Sequence, residues 1–558
     1  MQIRLGCFWM IPVCSALCST ACTDPLRRDD YAAYCDPPQR LHEAIAIRLE
    51  ERSQSPPVSI EEAAADAARR TLAVQEPPES IEIELADVRA AALANNLDLK
   101  VELVNPSLAQ QAVSEEQAQF EALLFGAIEH LDSDRRSTVI NHPALQSQKT
   151  SYDTGVSIPL RTGGEVTVDF SIQRFDDQTR PVNRDDRSAE VIDPSYEAAL
   201  RFSISQPLLR GAGIRTSTHA IRVAKYERDI AGAQTKLAAI RILANVDRAY
   251  WLLYAARREL KVSQEQYELA LQQLDEARKR VEAGAAPEIE IMRAESGVAA
   301  RLEAIIVADT QVRRRERTLK RIMNRDDLPM NSPTALILVT GPNPLGLDLD
   351  AEALADYAVE HRMEMLELEL QLAIDASTID FERNATLPLF LLDYTYDVNG
   401  LGGSLNESVR DVGDHAFTDH TLAFKAEIPI GNEAAKSRLR RAMLQRVQSL
   451  ATQRQRQLAI RQEVFDAVDA LEQDWQRILA ARQEVILAGR TYEAEKRQFE
   501  VGLRTSTDVL EAAARLAGAQ SREIRALSAY EISQIDIAFA CGALIGEDRV
   551  IWETTTLK

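Results

Sequence analysis

The sequence contains little of what a metal site, a disulfide framework or a nucleic-acid interface requires. Four of its six cysteines lie within the first 22 residues, and the remaining two, Cys35 and Cys541, are too few and too far apart for a disulfide framework or a metal site. The seven histidines show no ligand spacing, and no nucleophile motif or phosphate loop stands out, so we expect neither an enzyme nor a cofactor. With a net charge of −21 and 5% aromatic residues, the chain offers no basic face, which excludes nucleic acid as a partner.

Long apolar runs are also missing, except at the N-terminus. Residues 1–22 combine an early Arg4 with an apolar segment over 5–17 and end in small residues, a pattern that indicates a secretory signal peptide. The segment from Ser19 to Cys22 is similar to a lipoprotein cleavage box, although Ser stands where such boxes usually carry Leu. Lipidation of Cys22 and plain cleavage beside it both stay open. Beyond this segment, no stretch approaches the roughly 20 apolar residues of a membrane helix.

Most of the chain is a tandem duplication. Sliding the sequence by 218 residues aligns a gapless segment through two helical patterns, which indicates a repeat. The aligned segments and residues are Val281–Ala294 with Phe499–Ala512, Gly213 with Gly431, Gly284 with Gly502, Glu290 with Asp508 and Met292 with Leu510. Upstream the offset becomes 266, because the first copy carries extra residues. The predicted domains are a signal peptide at 1–22, an N-terminal extension with a linker at 23–84, a first repeat at 85–324, a linker at 325–348, a second repeat at 349–546 and a C-terminal tail at 547–558.

Both copies have the same order of predicted elements: a helix, strands, a very long helix, a glycine turn and a returning helix. We predict the first helices at about 86–120 and 350–386, and the long helices at about 214–282 and 432–500. At 1.5 Å per residue each long helix would extend about 100 Å. Their heptad-like apolar steps predict lengthwise packing. Taken alone, these helices would also suit an exported coiled-coil scaffold protein of the cell envelope.

The strand patterns favour a membrane protein. The segment "GGEVTVDFSIQ" alternates between an apolar face, which includes Val166, Val168 and Phe170, and a polar face. The same alternation recurs at 196–204, 392–398 and 422–428. Such segments suit the wall of a transmembrane β-barrel, although a soluble sheet alternates in the same way. Four to six strands cannot close an ordinary transmembrane barrel, so several chains would have to contribute.

In this order the residues resemble the TolC-type outer-membrane efflux proteins. The similarity covers nearly all of 80–546 and rests on "AALANNLDLK", "SQPLLRGAG", "EIPIGNEAAKSRLRRA" and the two glycine turns. It implies an α+β membrane protein that forms a homotrimer. In it, a long α-helical hairpin barrel crosses the periplasm, and a transmembrane β-barrel in outer-membrane lipid is shared between three chains.

The resemblance also implies partners and a function. Periplasmic adaptor (membrane fusion) proteins would join the channel to an inner-membrane pump or ABC transporter. The chain would be the exit duct of a tripartite efflux or type I secretion system for drugs, metals, small molecules or polypeptides. The cargo stays open, because the pump and the adaptor largely select it.

The first copy departs from the two strands per repeat that are usual in the family. "SYDTGVSIPL" and "EVTVDFSIQRF" predict an additional hairpin around Thr162–Gly164. Six strands per chain would give a barrel of about eighteen in a trimer. The alternative keeps four strands per chain, about twelve in all, with the hairpin outside the wall.

The two glycine turns match the family's periplasmic tips. Val501, Gly502 and Leu503 match the tip motif that meets the adaptor, and the residues of the reduced counterpart are Ala283, Gly284 and Ala285. Gly permits a left-handed backbone and the close approach of another tip. A helix that simply ends at Gly is the plain structural interpretation of both turns.

Five residues match positions of the family's periplasmic gate. Asp508 and Glu511, at i and i+3 on one helix face, would form a ring of six carboxylates in a trimer; local stabilisation of the helix N-terminus is the alternative. Arg504 and Glu290 match positions that tie the closed entrance by charge pairing. Phe499 stands where well-known relatives carry Tyr, so the expected hydroxyl is missing from this gate.

Overall fold

The computed structural model describes residues 79–135, 145–177, 192 and 194–544. The predicted signal peptide, Cys22, the extension before residue 79 and the C-terminal tail lie outside the described residues. In chain order the elements are β1 Ser80–Ile83, α1 Leu85–Asn95, α2 Leu97–Glu102, α3 Asn105–Ala118, β2 Leu123–Arg135, β3 Leu145–Pro159, β4 Glu165–Asp177, β5 Ser195–Pro207, α4 Ile214–Ser217, α5 His219–Glu282, α6 Ile289–Met323, β6 Ala335–Leu338, α7 Ala351–His361, α8 Met363–Ala385, β7 Leu389–Gly402, α9 Leu405–Gly413, β8 Phe417–Glu427, α10 Glu433–Glu500 and α11 Ser506–Cys541. Among the described helices, none is both long and apolar enough to pass through a membrane.

The two long helices confirm the helical periodicity of the sequence. α5 has 64 residues and α10 has 68, so each extends about 100 Å. Before each of them the chain turns at a glycine with positive φ, Gly213 at 95° and Gly431 at 87°. These glycines are equivalent in the two repeats, because a left-handed backbone is needed at the same strand-to-helix turn in both copies.

The first helix of each copy is interrupted, which the sequence did not predict. The break falls at Asn96 in the first copy and at Arg362 in the second, two positions that the 266-residue offset aligns. Asn96 accepts from the Leu99 N–H as an N-cap and donates to the Ile322 carbonyl. Arg362 is 4% exposed and forms ion pairs with Glu364 and Glu463. Tertiary polar contacts therefore override the continuous helical pattern.

The helices form a layer with two free sides. Near the hairpin turns, α5 packs between α6 and α11, and α11 in turn packs on α10. Near the large sheet, α5 packs between α3 and α8, and α8 in turn packs on α10. Buried side chains of α5 such as Leu243, Tyr250 and Leu253 form the main core. Within the described chain, α3 and α6 end the layer on one side and α10 ends it on the other.

The linker between the repeats is held against the helices by two buried tyrosines. Strands β1 and β6 pair in parallel, and the chain then runs along α5 and α11. The Tyr250 hydroxyl donates to the Thr340 carbonyl and accepts from its N–H, at 3.1 and 3.0 Å. The Tyr530 hydroxyl donates to the carbonyl of Leu345. The linker thereby joins the two repeats into one packed unit.

Six strands form one antiparallel sheet in the order β2-β3-β4-β5-β7-β8. The predicted extra hairpin is β3–β4, and it lies inside the sheet, because β3 also pairs with β2 and β4 with β5. Its turn contacts the strand-to-helix turn of the first copy, where the Gly213 N–H donates to the Thr162 carbonyl at 2.9 Å. A four-stranded sheet with a separate hairpin is therefore wrong for the single chain. Strand β2 was not predicted from the sequence.

The register separates an apolar from a polar face, as the alternation predicted. Cross-strand neighbours on the apolar face include Ile128, Tyr152, Ile172, Phe170, Leu200, Phe202, Tyr396, Tyr394 and Leu422. The polar face carries a row of charges with Arg201 2.7 Å from Asp397. The short helix α9 covers the apolar face where Val412 packs on Ala198 and Val398.

Candidate gate and docking site at the helical tips

The turn after α10, which we call tip 2, spans Val501–Thr505. Gly502 has φ 79°, and its N–H donates to the Phe499 carbonyl at 3.0 Å. The next N–H, of Leu503, reaches back to the Gln498 carbonyl at 2.9 Å. This pair of bonds around a left-handed residue is a Schellman motif, which satisfies the last carbonyls of the helix. Gly502 thus ends α10 for a local backbone reason.

The turn after α5, which we call tip 1 (residues 283–288), has the same geometry. Gly284 has φ 68°, its N–H donates to the Val281 carbonyl at 2.9 Å, and the Ala285 N–H donates to the Arg280 carbonyl at 2.8 Å. The two tips are therefore structurally equivalent. At these turns, residues that the 218-residue offset aligns therefore also have the same backbone conformation and hydrogen bonds.

The tips differ in what they expose. Val501 is 70% and Leu503 is 76% exposed, whereas Ala283, Gly284 and Ala285 present only small exposed groups. Apart from the adjacent residues of the chain, no described atom lies within 4 Å of a Cβ placed on Gly284 or Gly502. Tip 2 consequently ends in two accessible apolar side chains on either side of an open glycine, an arrangement into which another helical tip can fit closely.

Asp508 belongs to a capping box at the start of α11. Its carboxylate accepts from the Thr505 N–H at 3.0 Å, while the Asp508 N–H donates to the Thr505 hydroxyl oxygen at 3.4 Å. The Thr505 backbone and hydroxyl donors lower the pKa of Asp508 below its ordinary value, and the nearby charge of Arg504 lowers it further. The carboxylate therefore stays ionised at neutral pH and stabilises the helix N-terminus.

Glu511 and Arg504 form ion pairs within their own hairpin. Glu511 lies 3.3 Å from Arg515 one turn further along α11. Arg504 lies 3.1 Å from Glu495 and also donates to the Gln498 side chain at 3.1 Å. In the single chain, then, Arg504 does not pair with Glu290. The carboxylate ring and the charge-paired entrance stay predictions.

Glu290 connects the two hairpins through a hydroxyl rather than a guanidinium. It pairs with Arg293 at 2.8 Å on its own helix and accepts a hydrogen bond from the Ser506 hydroxyl. Ser506 is the first residue of α11 and is 2% exposed. Because α6 and α11 begin at tips 1 and 2, this bond ties the starts of the two returning helices together.

Phe499 is held by a residue that the sequence did not indicate. Phe499 is 5% exposed, and the guanidinium carbon of Arg280 lies 3.8 Å from its ring centroid. Arg280 Nη2 also donates to the Phe499 carbonyl at 3.2 Å. A cation–π contact and a charged hydrogen bond thus replace the expected tyrosine hydroxyl. The only signal in the sequence was a difference between the two copies at this position, where Arg280 of the first copy aligns with Gln498 of the second.

Comparison with known proteins shows which family has this fold. The family model of the outer membrane efflux protein matches residues 167–325 and 354–543, more than half of the chain. The solved channel CusC is 14% identical, with 84% of this chain and 95% of that chain covered and a TM-score of 0.61. CmeC of Campylobacter jejuni is 16% identical, with 82% of this chain and 85% of that chain covered and a TM-score of 0.60. VceC of Vibrio cholerae is 13% identical, with 82% of this chain and 96% of that chain covered and a TM-score of 0.58. No curated protein matches.

At these identities the solved structures show a shared fold, while the family model identifies the chain. The two matched segments fall in the two repeats; each includes a long helix and its tip, and the first begins within β4, after β2 and β3. Proteins of this family are channels rather than enzymes, and they lie in the outer membrane with a periplasmic tunnel. The chain therefore belongs to the outer membrane efflux protein family.

Proposed function

We propose that three copies of the chain form one channel, the exit duct of a tripartite efflux or type I secretion system. The observation that carries this proposal is that, at each of two sides of the described chain, a strand edge and a helix face have no neighbouring element. Among the described strands, β2 and β8 each pair on one side only, and β2 follows directly on α3 while β8 leads into α10. An open strand edge that continues into a free helix face on each side suits head-to-tail closure into a ring.

The helix faces at these sides are unusually apolar for solvent. Exposed apolar side chains on the α10 side are Met443, Leu444, Val447, Leu450 and Leu458. Those at the same level on the opposite side, from the α2–α3 segment, are Val101, Val104 and Leu108. In a ring, each α10 stripe would pack on the opposite stripe of the next copy, which removes both from water.

The strand edges support a shared wall. Pairing β2 of one copy with β8 of the next would satisfy the open backbone groups of both edges. Three copies of a six-stranded sheet give a barrel of about eighteen strands, with the apolar face towards lipid and the polar face lining a water-filled exit. The extra hairpin β3–β4 makes this exit wider than four strands per chain would allow.

The tips are the proposed docking and gating end of the duct. Val501 and Leu503 would meet a helical tip of a periplasmic adaptor, with Gly502 leaving room for its approach. Tip 1 would make a smaller contact. Threefold symmetry would bring Asp508 and Glu511 into rings at the entrance, which attract cations. The pump and the adaptor would select the cargo, whether drug, metal, small molecule or polypeptide.

One experiment tests the duct. The tagged full-length protein is purified in detergent, its mass is measured, and it is added to planar bilayers, while the proteins that co-purify with it are identified. We expect a trimer, ion conductance, and an adaptor with its pump. A Gly502→Leu variant should still form conducting trimers but lose the adaptor. A water-soluble protein without conductance would instead support the cell-envelope scaffold.

A further inference from the structure

The first strand-to-helix turn carries positive charge in an acidic chain. From Leu208 to Lys225 the sequence has no acidic residue, although the net charge of the whole chain is −21. The basic residues of this segment are Arg210, Arg215, Arg222 and Lys225. The turn between β3 and β4 adds the exposed Arg161, whose carbonyl accepts a hydrogen bond from the Ser217 hydroxyl of α4. Basic residues from two separate turns therefore lie at the end of the sheet that adjoins the helices.

A groove lies between α4 and the C-terminal end of α8 at this end of the sheet. It has a volume of about 360 Å³, and its lining includes Arg215, Asp380, Phe381, Arg383 and Leu387. The Arg215 side chain is 79% exposed and the Arg383 side chain is 63% exposed. Both pair with the single carboxylate of Asp380, at 2.5 and 3.6 Å. The lining therefore keeps a net positive charge, and most N–H donors of the two guanidinium groups stay available.

Tertiary contacts hold the groove in shape. The Asn384 side chain accepts from the Gly211 N–H at 2.7 Å and donates to the Leu209 carbonyl at 3.1 Å. These bonds fix the end of α8 against the strand-to-helix turn. The Phe381 ring stacks on His219, with 4.6 Å between the ring centroids. The groove is thus formed before any ligand binds.

Apolar side chains are exposed on the turn and on the groove lining. They are Leu208, Leu209, Ile214, Phe381 and Leu387. Several apolar side chains together in water are unfavourable and indicate a surface that meets lipid or another molecule. Arginine binds phosphate through charged hydrogen bonds, so a molecule with a phosphate and acyl chains matches both parts of this surface. Free phosphate would match the arginines alone.

The turn itself does not need the positive charge. The 218-residue offset carries Arg215 to Glu433, and both residues come two positions after a glycine with positive φ, Gly213 and Gly431. The second copy therefore turns from strand to helix with a carboxylate where the first copy has a guanidinium. A purely structural role of the Arg215 charge in this turn does not explain the difference, whereas a ligand bound in the first copy does.

We propose that this groove binds an anionic phospholipid from the leaflet that faces the helices. Its phosphate would lie on Arg215 and Arg383, and its acyl chains would contact the exposed apolar side chains. The inference rests on the proposed duct, because a sheet that crosses the membrane brings this turn to the level of the lipid headgroups, where anionic lipids attract basic residues. The groove lies within one chain, so each chain would bind its own lipid.

Native mass spectrometry of the full-length protein in detergent tests the site. Phosphatidylglycerol, which is anionic, and phosphatidylethanolamine, which has no net charge, are added at equal concentrations. We expect one phosphatidylglycerol per chain and about tenfold weaker binding of phosphatidylethanolamine. Arg215→Gln together with Arg383→Gln should weaken phosphatidylglycerol binding by about tenfold or more. The mass and conductance of the assembled protein should stay unchanged, because both side chains are largely exposed.

Arg522→Gln is the matched control. Arg522 is also exposed and joins two helices through a carboxylate, since it donates to Glu484 at 2.9 Å, but it lies on α11, outside the groove. We expect this variant to bind phosphatidylglycerol like the unsubstituted protein. An equal loss of binding in Arg522→Gln would show that total charge, rather than the groove, attracts the lipid, and would contradict the proposal.

Three further results would overturn the proposal. They are equal binding of the two lipids, undiminished phosphatidylglycerol binding by the double variant, and displacement of the lipid by inorganic phosphate, which would show an anion site that faces water. The unsubstituted protein keeps these results separate from the proposed duct. A conducting trimer without a preference for phosphatidylglycerol contradicts the lipid site alone, whereas a protein that forms no conducting trimer contradicts the duct.

Discussion

At the residue scale, Phe499 illustrates how a missing group is replaced by a different interaction. Family resemblance alone indicates a lost hydroxyl. The structure places Arg280 over the ring, where it also donates to the Phe499 carbonyl on the last turn of α10, the negative end of that helix. One cation therefore serves as a ring partner and as a cap for a helix of another hairpin, a combination that a tyrosine hydroxyl would not provide.

Phe499→Leu should loosen tip 2, whereas Phe499→Tyr should not. Leucine keeps the burial but loses the cation–π contact, and we expect a local cost of about 1–2 kcal/mol. Tyrosine keeps the ring. Hydrogen exchange of the Gly502 and Leu503 amides measures this, because both amides bond to carbonyls of the last turn of α10. Equal exchange in the two variants would show that Arg280 does not hold the ring.

Asp508 makes tip 2 sensitive to acid. Hydrogen bonds from the backbone N–H and hydroxyl of Thr505, followed by the charge of Arg504, hold its pKa below the ordinary 3.8. Since the folded-state pKa is lowered, the stabilisation is complete above 3.8 and is lost as the pH falls through the folded-state value. Normalised hydrogen exchange of the first turn of α11 should rise over that acidic range.

An Asp508→Asn variant is the control for this titration. The amide oxygen can still accept a hydrogen bond, but it carries no charge to titrate. Its exchange should already be raised at neutral pH and stay flat in acid. If the variant showed the same acidic rise as the unsubstituted chain, another group would be responsible.

At the element scale, the β3–β4 turn explains how an additional hairpin is accommodated. Gly163 has φ 90°, and a Cβ there would lie 2.1 Å from the Gly211 carbonyl oxygen. The turn thus fits against the strand-to-helix junction only without a side chain. Gly126 on β2 is a matched position, because its Cβ would lie 3.9 Å from the nearest atom, the Asp153 carbonyl oxygen.

Gly163→Ala should therefore destabilise the folded protein, while Gly126→Ala should be nearly neutral. A strained φ and a backbone clash together cost about 2 kcal/mol or more. The temperature at which the folded band disappears on a heat-titrated detergent gel measures the difference. Equal melting temperatures would mean that the turn does not contact the junction in the assembled protein.

Elements with a strong period were predictable from the sequence, and those set by tertiary contacts were not. The long helices were predictable from apolar residues that recur about every 3.6 positions, and β4 from apolar residues at every second position. Strand β2 was missed because, after Leu124 and Ile128, its outward positions turn polar. The breaks at Asn96 and Arg362 depend on partners far along the chain. Arg280 was missed for the same reason, since its partner lies 219 residues away.

At the scale of the whole molecule, a single chain leaves strand edges and apolar helix faces uncovered. Within the part of the chain that the structure describes, the large sheet has open edges at β2 and β8, and the helix faces beside them expose apolar stripes. An isolated copy would leave both in contact with water or lipid, which is unfavourable for backbone and side chains alike. In the proposed ring the same surfaces would cover one another, so that assembly and a continuous duct would arise together.

Val447→Asp tests this directly, with Gln445→Asp as its control on the same helix. Val447 is 62% exposed in the single chain and lies in the α10 stripe, so a ring would bury the new carboxylate without a partner. Gln445 is also exposed but points about 200° away around the helix. We expect roughly tenfold or greater loss of trimer for Val447→Asp and little change for Gln445→Asp. The mass distribution in detergent measures both, and intact trimers with Val447→Asp would exclude this stripe from the interface.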